Sequence, residues 1–170
     1  MLRANNKNII SSSNSIIAVG ADHRGYSHKT RLISYIQNKY AGLSLQDVGT
    51  YTSDRTDYPQ YVYKVCDLMQ KGSANYGILL CGSGVGMSIA ANRWPQIYAG
   101  LCWNASVARA ARHDDKCNVL VIPTDYVKYR HMRAIVDAWL LTPFGYKRYQ
   151  KRIDMIDKWQ SIQIENNISG

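Results

Sequence analysis

Hydrophobic residues fall in short uninterrupted runs that alternate with stretches of helical period. Ile16-Ile17-Ala18-Val19, ending at Gly20, is apolar at consecutive positions, as expected of a strand covered on both faces. Leu32, Ile36 and Tyr40 then recur every fourth position with Ile33 beside them, which predicts a helix terminated by Gly42. Residues 44–48 predict a weaker second strand. Asp57-Tyr58-Pro59 opens a second helix, with Val62, Val65, Leu68 and Met69 on its apolar face and Gly72 at its end. Ile78-Leu79-Leu80 predicts a third strand, followed by a glycine-rich loop and a helix of small residues over 87–92. Two more strands, 98–102 and 118–122, flank a helix over 105–112. A helix over 126–140 should bury Ile135, Val136 and Trp139, and a Pro143/Gly145 break precedes a last helix from Tyr146.

Five strands alternating with helices predict an α/β fold with a doubly wound parallel sheet. The expected organisation is a flexible N-terminal extension over 1–15, one domain over 16–160 and a tail over 161–170. In open sheets of this kind ligands bind beyond the carboxyl ends of the strands. Asp22 and His23, after the first strand, and residues 81–86, after the third, belong to that rim. His113, at the far end of its helix, belongs to the opposite edge and needs a separate account.

Composition narrows the function classes. No run approaches the ~18 apolar residues that span a bilayer, so a soluble chain with no membrane partner is expected. Cys66, Cys81, Cys102 and Cys117 form no C-x-x-C pair and no zinc spacing, which excludes a recognisable metal site and favours a reducing, cytoplasmic setting. Arg3 and Lys7 stand in an Asn/Ser-rich leader ahead of the first acid, Asp22, so 1–15 also read as a weak organelle-targeting segment. The net charge of +9 is uneven: between Lys128 and Arg152 seven Lys or Arg residues face the single Asp137. Such a cluster suits an anion, or else is a solvated basic face. With no zinc finger, aromatic RNP-like strand or basic heptad, a phosphorylated small molecule is expected rather than nucleic acid.

Gly82, Gly84 and Gly86 let a strand-to-helix turn present successive N–H groups to an anion, and they equally fit a merely tight turn. The P-loop is excluded because Met87 and Ser88 follow Gly86, and the dinucleotide fingerprint fails at Met87. What remains is Cys81 at a strand tip and helix start, where the helix dipole should lower its thiol pKa and prepare it as a base or nucleophile. The plain alternative, a buried cysteine that only packs, describes Cys66, Cys102 and Cys117.

Several segments together resemble ribose-5-phosphate isomerase type B and its galactose- and allose-phosphate isomerase relatives. They are Gly20-Ala21-Asp22-His23, Arg55-Thr56-Asp57-Tyr58-Pro59, Cys81-Gly82-Ser83-Gly84-Val85-Gly86 with Ala90-Ala91-Asn92, Asn118-Val119-Leu120 and Val136-Asp137-Ala138-Trp139-Leu140. The resemblance implies a Rossmann-like three-layer α/β/α sandwich with a five-stranded parallel sheet. It also implies aldose–ketose isomerisation through a cis-enediolate without metal or cofactor, and a homodimer with shared active sites, extending to a dimer of dimers. Cys81 would be the base, Ser83 would bond the reacting oxygens, and the N–H groups of Gly82, Gly84, Val85 and Gly86 would hold the enediolate charge. Asp22, His23 and Tyr58 would line the substrate, and Arg148 and Arg152, four apart on the last helix, would hold its phosphate. One branch of the family places a Glu base where Met87 stands, and the sole Glu here is Glu165.

Two departures stand out. The family's ring-opening His lies in a His-Asn-Asp/Asn-x-Asn segment, whereas this chain reads His113-Asp114-Asp115-Lys116-Cys117-Asn118, one residue longer. His113 is the expected ring opener, acting from the neighbouring subunit, with Asp114 as the alternative. Asp125 stands where relatives carry an Arg that contacts phosphate, which leaves Arg112 or Lys116 as substitutes, an altered substrate, or lost activity. The expected substrate is thus ribose 5-phosphate, with hexose 6-phosphates and a non-catalytic basic module as rivals.

Overall fold

Five parallel strands form one sheet in the order β2-β1-β3-β5-β4: β1 (Ile16–Ala21), β2 (Ser44–Asp47), β3 (Tyr76–Cys81), β4 (Ala99–Leu101) and β5 (Val119–Pro123). These come from a computed structural model, which describes residue 10 and residues 14–168. Six helices connect or follow the strands: α1 (Tyr26–Lys39), α2 (Pro59–Gln70), α3 (Val85–Ala91), α4 (Ala105–His113), α5 (Tyr129–Leu141) and α6 (Arg148–Ile168). The expected α/β sandwich is the observed one. No helix among the described residues is long and apolar enough to cross a membrane.

The uninterrupted apolar runs are resolved by the two-residue period of a strand, which sends successive side chains to opposite faces. Ile17, Val19, Ile78, Leu80, Leu120 and Ile122 point into one core with Leu32 and Ile36 of α1 and Ile135, Val136 and Trp139 of α5. Ala18, Leu79, Cys81, Val119 and Val121 point into the other, against Val62 and Val65 of α2 and Met87 and Ala91 of α3. Helical stripes and strand runs therefore meet as three layers.

Polar ties fix the helices on the sheet. Lys29 of α1 is 1% exposed and its ammonium is held by both carboxylate oxygens of Asp47 at the end of β2. Removing Asp47 would strand a buried charge, at a cost of roughly 3–5 kcal/mol. Asp137 of α5 accepts from Tyr35, Lys39 and Tyr40, which join it to α1 and its end. Burial opposes its charge, but these three donors hold the carboxyl below its usual range.

Most boundaries shift by one or two residues, and three differences bear on how helices start and stop. Gly72, at φ 70, takes the left-handed conformation that ends α2, whereas α1 ends on Tyr40 at φ −126 and Gly42 has no positive φ. The fifth helix begins at Tyr129 rather than Tyr126, after an extended Lys128. The last begins at Arg148 and continues to Ile168, through most of the stretch assigned to a tail. Of the N-terminal 15 residues, 1–9 and 11–13, where the targeting reading falls, lie outside the described residues; Ile10 is buried in the first core, and Ser15 O accepts from Ser44 N.

Candidate active site

From β1 the chain leaves to β2 on one side and returns to β3 on the other, so the carboxyl ends of β1 and β3 open a crevice between helices of opposite layers. Asp22 stands there, 4% exposed. Its Oδ1 accepts from the backbone N–H groups of Arg24, at 3.0 Å, and Gly25, at 3.1 Å. Its Oδ2 accepts from Cys81 Sγ at 3.0 Å. The register that pairs Ala21 with Leu80 sets these two residues side by side.

Cys81 corrects a sequence expectation. The helix-start argument predicts a lowered thiol pKa, whereas burial first, and then the hydrogen bond to Asp22 and its charge, push it up to about 11. The N–H groups of Gly84 and Gly82 pull the other way and are outweighed. The resting side chain is thus a thiol whose proton points at a carboxylate.

The loop behind Cys81 turns because Gly84 adopts φ 73 at the N-cap of α3. Ser83 is exposed at its tip, and its Oγ accepts from Val85 N at 3.4 Å. The Tyr58 ring lies over Gly86, where a Cβ would come within 2.7 Å of its Oη. His23 Nδ1 is 3.3 Å from the backbone N and O of Thr56, which ties the first loop to the segment before α2. Met87 is fully buried in the second core, so the position filled by Glu in one branch is a packing position here.

His113, Asp114, Arg148 and Arg152 form a second cluster. The α4 helix runs back across the sheet, so its last residue, His113, lies at the amino edge, away from Cys81. His113 Nδ1 is 2.7 Å from Asp114 Oδ1, with the side chains 48% and 38% exposed. This hydrogen bond, ahead of Tyr149 and Arg148, holds the Asp114 carboxyl below its usual range. Tyr149 meets the imidazole edge-on at 5.4 Å, Arg148 Nη2 donates to its hydroxyl at 3.0 Å, and the Arg152 guanidinium is 5.7 Å from its ring. A cavity of about 500 Å³ opens beside the pair, lined by Ser106, Arg109, Leu141 and Pro143 among others. The two candidates for ring opening, His113 and Asp114, are thus hydrogen-bonded to each other.

The fold and both clusters now stand beside known proteins. The profile of the Ribose/Galactose Isomerase family matches residues 17–156. The chain belongs to this family. It is similar to ribose-5-phosphate isomerase B of Escherichia coli (strain K12), 37% identical over 140 residues, which span 82% of this chain and 93% of that one. It is also similar to the solved ribose 5-phosphate isomerase of Thermotoga maritima, with TM-score 0.81 and 40% identity over 85% of this chain and 98% of that one. A third likeness is the Mycoplasma genitalium ribose-5-phosphate isomerase B solved with bound ribulose-5-phosphate, with TM-score 0.81 and 32% identity over 86% and 96% of the two chains.

Of the two expected substitutes at position 125, Arg112 is corrected. Arg112 is 4% exposed and turned inward, where Nη1 donates to Cys117 O at 2.7 Å and the guanidinium lies 5.5 Å from the Tyr76 ring and 5.9 Å from that of Trp139. Burial pushes its pKa down. Lys116, by contrast, reaches toward Gln150 Oε1, at 3.4 Å, and so stays beside Arg148 and Arg152 at the amino edge. The cation beside Asp125 is instead Arg24, whose Nη2 is 2.5 Å from Asp125 Oδ2. Sequence reasoning passed over Arg24, although it directly follows Asp22 and His23.

Proposed function

We propose that this chain is an aldose–ketose isomerase that interconverts ribose 5-phosphate and ribulose 5-phosphate through a cis-enediolate, without metal or cofactor and with Cys81 as the base. The observation that carries the reading is the Cys81 thiol directed at buried Asp22, at the mouth of a crevice where this topology places ligands. Family membership and the ribose-5-phosphate isomerases among its relatives support the substrate.

In this reading the Sγ proton passes to Asp22 as substrate displaces water, and the N–H groups of Gly82 and Gly84 favour the resulting thiolate. The thiolate removes the proton from C2 and returns it at C1. Ser83 Oγ bonds the two reacting oxygens while the hydroxyl proton passes from O2 to O1. The N–H groups of residues 82–86 meet the enediolate oxygen, where each donor contributes about 2.7–4 kcal/mol to lowering the barrier. Tyr58 and His23 line the substrate.

Ring opening falls to His113, with Asp114 holding Nδ1 so that Nε2 moves the proton to the ring oxygen. Arg148 and Arg152 take the phosphate. Since these groups sit at the opposite edge of their own sheet, they act on the Cys81 crevice of a second copy, in a homodimer with shared sites that can pair again into a dimer of dimers. Val85, Ile89 and Trp103, apolar yet about half exposed beside the crevice, suit coverage by that copy. The expected setting is the cytoplasm. Hexose 6-phosphates are the second reading, favoured by the family's span from ribose to galactose.

The test is purified chain with ribose 5-phosphate. Ketose should form, and Cys81→Ala should cost about 10²–10⁴-fold in kcat while far-UV circular dichroism is unchanged. Full activity in that variant would remove Cys81 as the base.

A further inference from the structure

We infer that Arg24, held across the Cys81 loop by Asp125, is a phosphate-binding residue of this chain and that Asp125 is its positioning residue. The inference rests on the isomerase reading and adds to it a contact that none of the motifs carries.

Arg24 has a pinned backbone and a reaching side chain. Its N–H donates to Asp22 Oδ1 at 3.0 Å, and its carbonyl accepts from Thr124 Oγ1 at 3.3 Å, which locks it between the ends of β1 and β5. From there the guanidinium crosses to Asp125, with Nη2 2.5 Å from Oδ2. Asp125 is itself tied to the loop, since its N–H donates to Gly82 O at 3.1 Å. The pair lies flat on Gly82: a Cβ there would be 2.6 Å from Arg24 Nε and 2.7 Å from Asp125 Oδ2. A planar cation therefore sits one residue from Cys81, on the same loop as Asp22 and His23.

The ion pair contributes little as a stabilising device. The side chains are 58% and 32% exposed, and pairs that wet are weak because water solvates both partners. What the pairing does supply is direction. One carboxylate oxygen engages Nη2, and the planar fork of five N–H donors has others to offer a second, tetrahedral anion. Asp125 holds this long side chain over the crevice before substrate arrives, so less conformational freedom is lost on binding. An acid after β5 then does not repel the phosphate, because its charge is already met by the group that binds the phosphate.

The experiment compares full-length wild type, Arg24→Met, Arg24→Asp, Asp125→Asn and the reversed pair Arg24→Asp/Asp125→Arg. The inference expects Arg24→Met to raise KM for ribose 5-phosphate about 10- to 100-fold, as for loss of a charged hydrogen bond, with kcat changed far less. Competitive inhibition by inorganic phosphate should weaken in parallel. Asp125→Asn should shift KM in the same direction by less, and the reversed pair should recover much of the affinity that Arg24→Asp loses. Unchanged KM and phosphate inhibition in Arg24→Met, in an enzyme that isomerises, would overturn the inference alone. A wild type with no isomerase activity would overturn the isomerase reading instead. Binding of inorganic phosphate, followed by calorimetry, would then still decide on Arg24, because the variant must bind it more weakly than wild type.

Discussion

At the carboxyl edge Asp22 is 4% exposed, its oxygens taken by two backbone N–H groups and a thiol; at the amino edge the Asp114 side chain is 38% exposed and holds one imidazole. The first arrangement is a product of the fold, because strand register brings Cys81 to Asp22 and burial then sets the protonation state. The second owes little to burial, and exposed pairs of its kind contribute little stability. If the two clusters form the halves of the proposed shared site, the contrast shows that they have different needs. The crevice half is preformed, with Asp22 and Cys81 buried, whereas the amino-edge half carries exposed polar groups that the proposed dimer would present to a second copy.

The largest effect that sharpens this contrast is alkaline destabilisation. Unfolded thiols ionise near 9.0, whereas burial in the folded chain holds Cys81 up to about 11 and Cys66, Cys102 and Cys117 up to about 12. Above pH 9 the unfolded state binds fewer protons than the folded one, so stability is fully present below that pH and is lost as pH rises toward 11–12. Each thiol should cost about 1.4 kcal/mol per pH unit within that window. Urea midpoints measured across it should fall steeply, and equally so in His113→Ala, which touches only the exposed half. A flat profile would show that the thiols are not held dry.

A smaller effect isolates Cys81. Asp22→Asn removes the carboxylate that helps raise the thiol pKa, so alkylation of Cys81 near pH 8 should quicken by about tenfold for each unit the pKa falls. Peptide mapping after brief iodoacetamide exposure reads this directly. An unchanged or slower rate would mean that burial alone governs the thiol.

The strands and the crevice were legible in the sequence because consecutive apolar residues and alternating glycines are local signals. Three features were not, and two of them are non-local. The thiol shift depends first on burial and then on a carboxylate 59 residues away, both of which a local dipole argument omits. Arg24 finds Asp125 only when β1 and β5 flank β3, and a lone exposed arginine carries no period to betray it. Gly72 and Gly42 read alike as helix stops, yet only Gly72 has the positive φ that makes it one, because the chain after α1 leaves through Tyr40 instead. Arg112 failed as a phosphate candidate for a related reason: its neighbours in space are Tyr76 and Trp139, from β3 and α5.

In the proposed homodimer the Cys81 crevice of one copy is completed by the His113 cluster of another. This completion is tested most directly by mixing two variants, Cys81→Ala and His113→Ala, each nearly inactive alone. After subunit exchange, half of the dimers are hybrids and each has one intact site, so about one quarter of wild-type activity should return. Mixtures that stay as inactive as their components, while native mass spectrometry shows hybrids, would contradict the shared site.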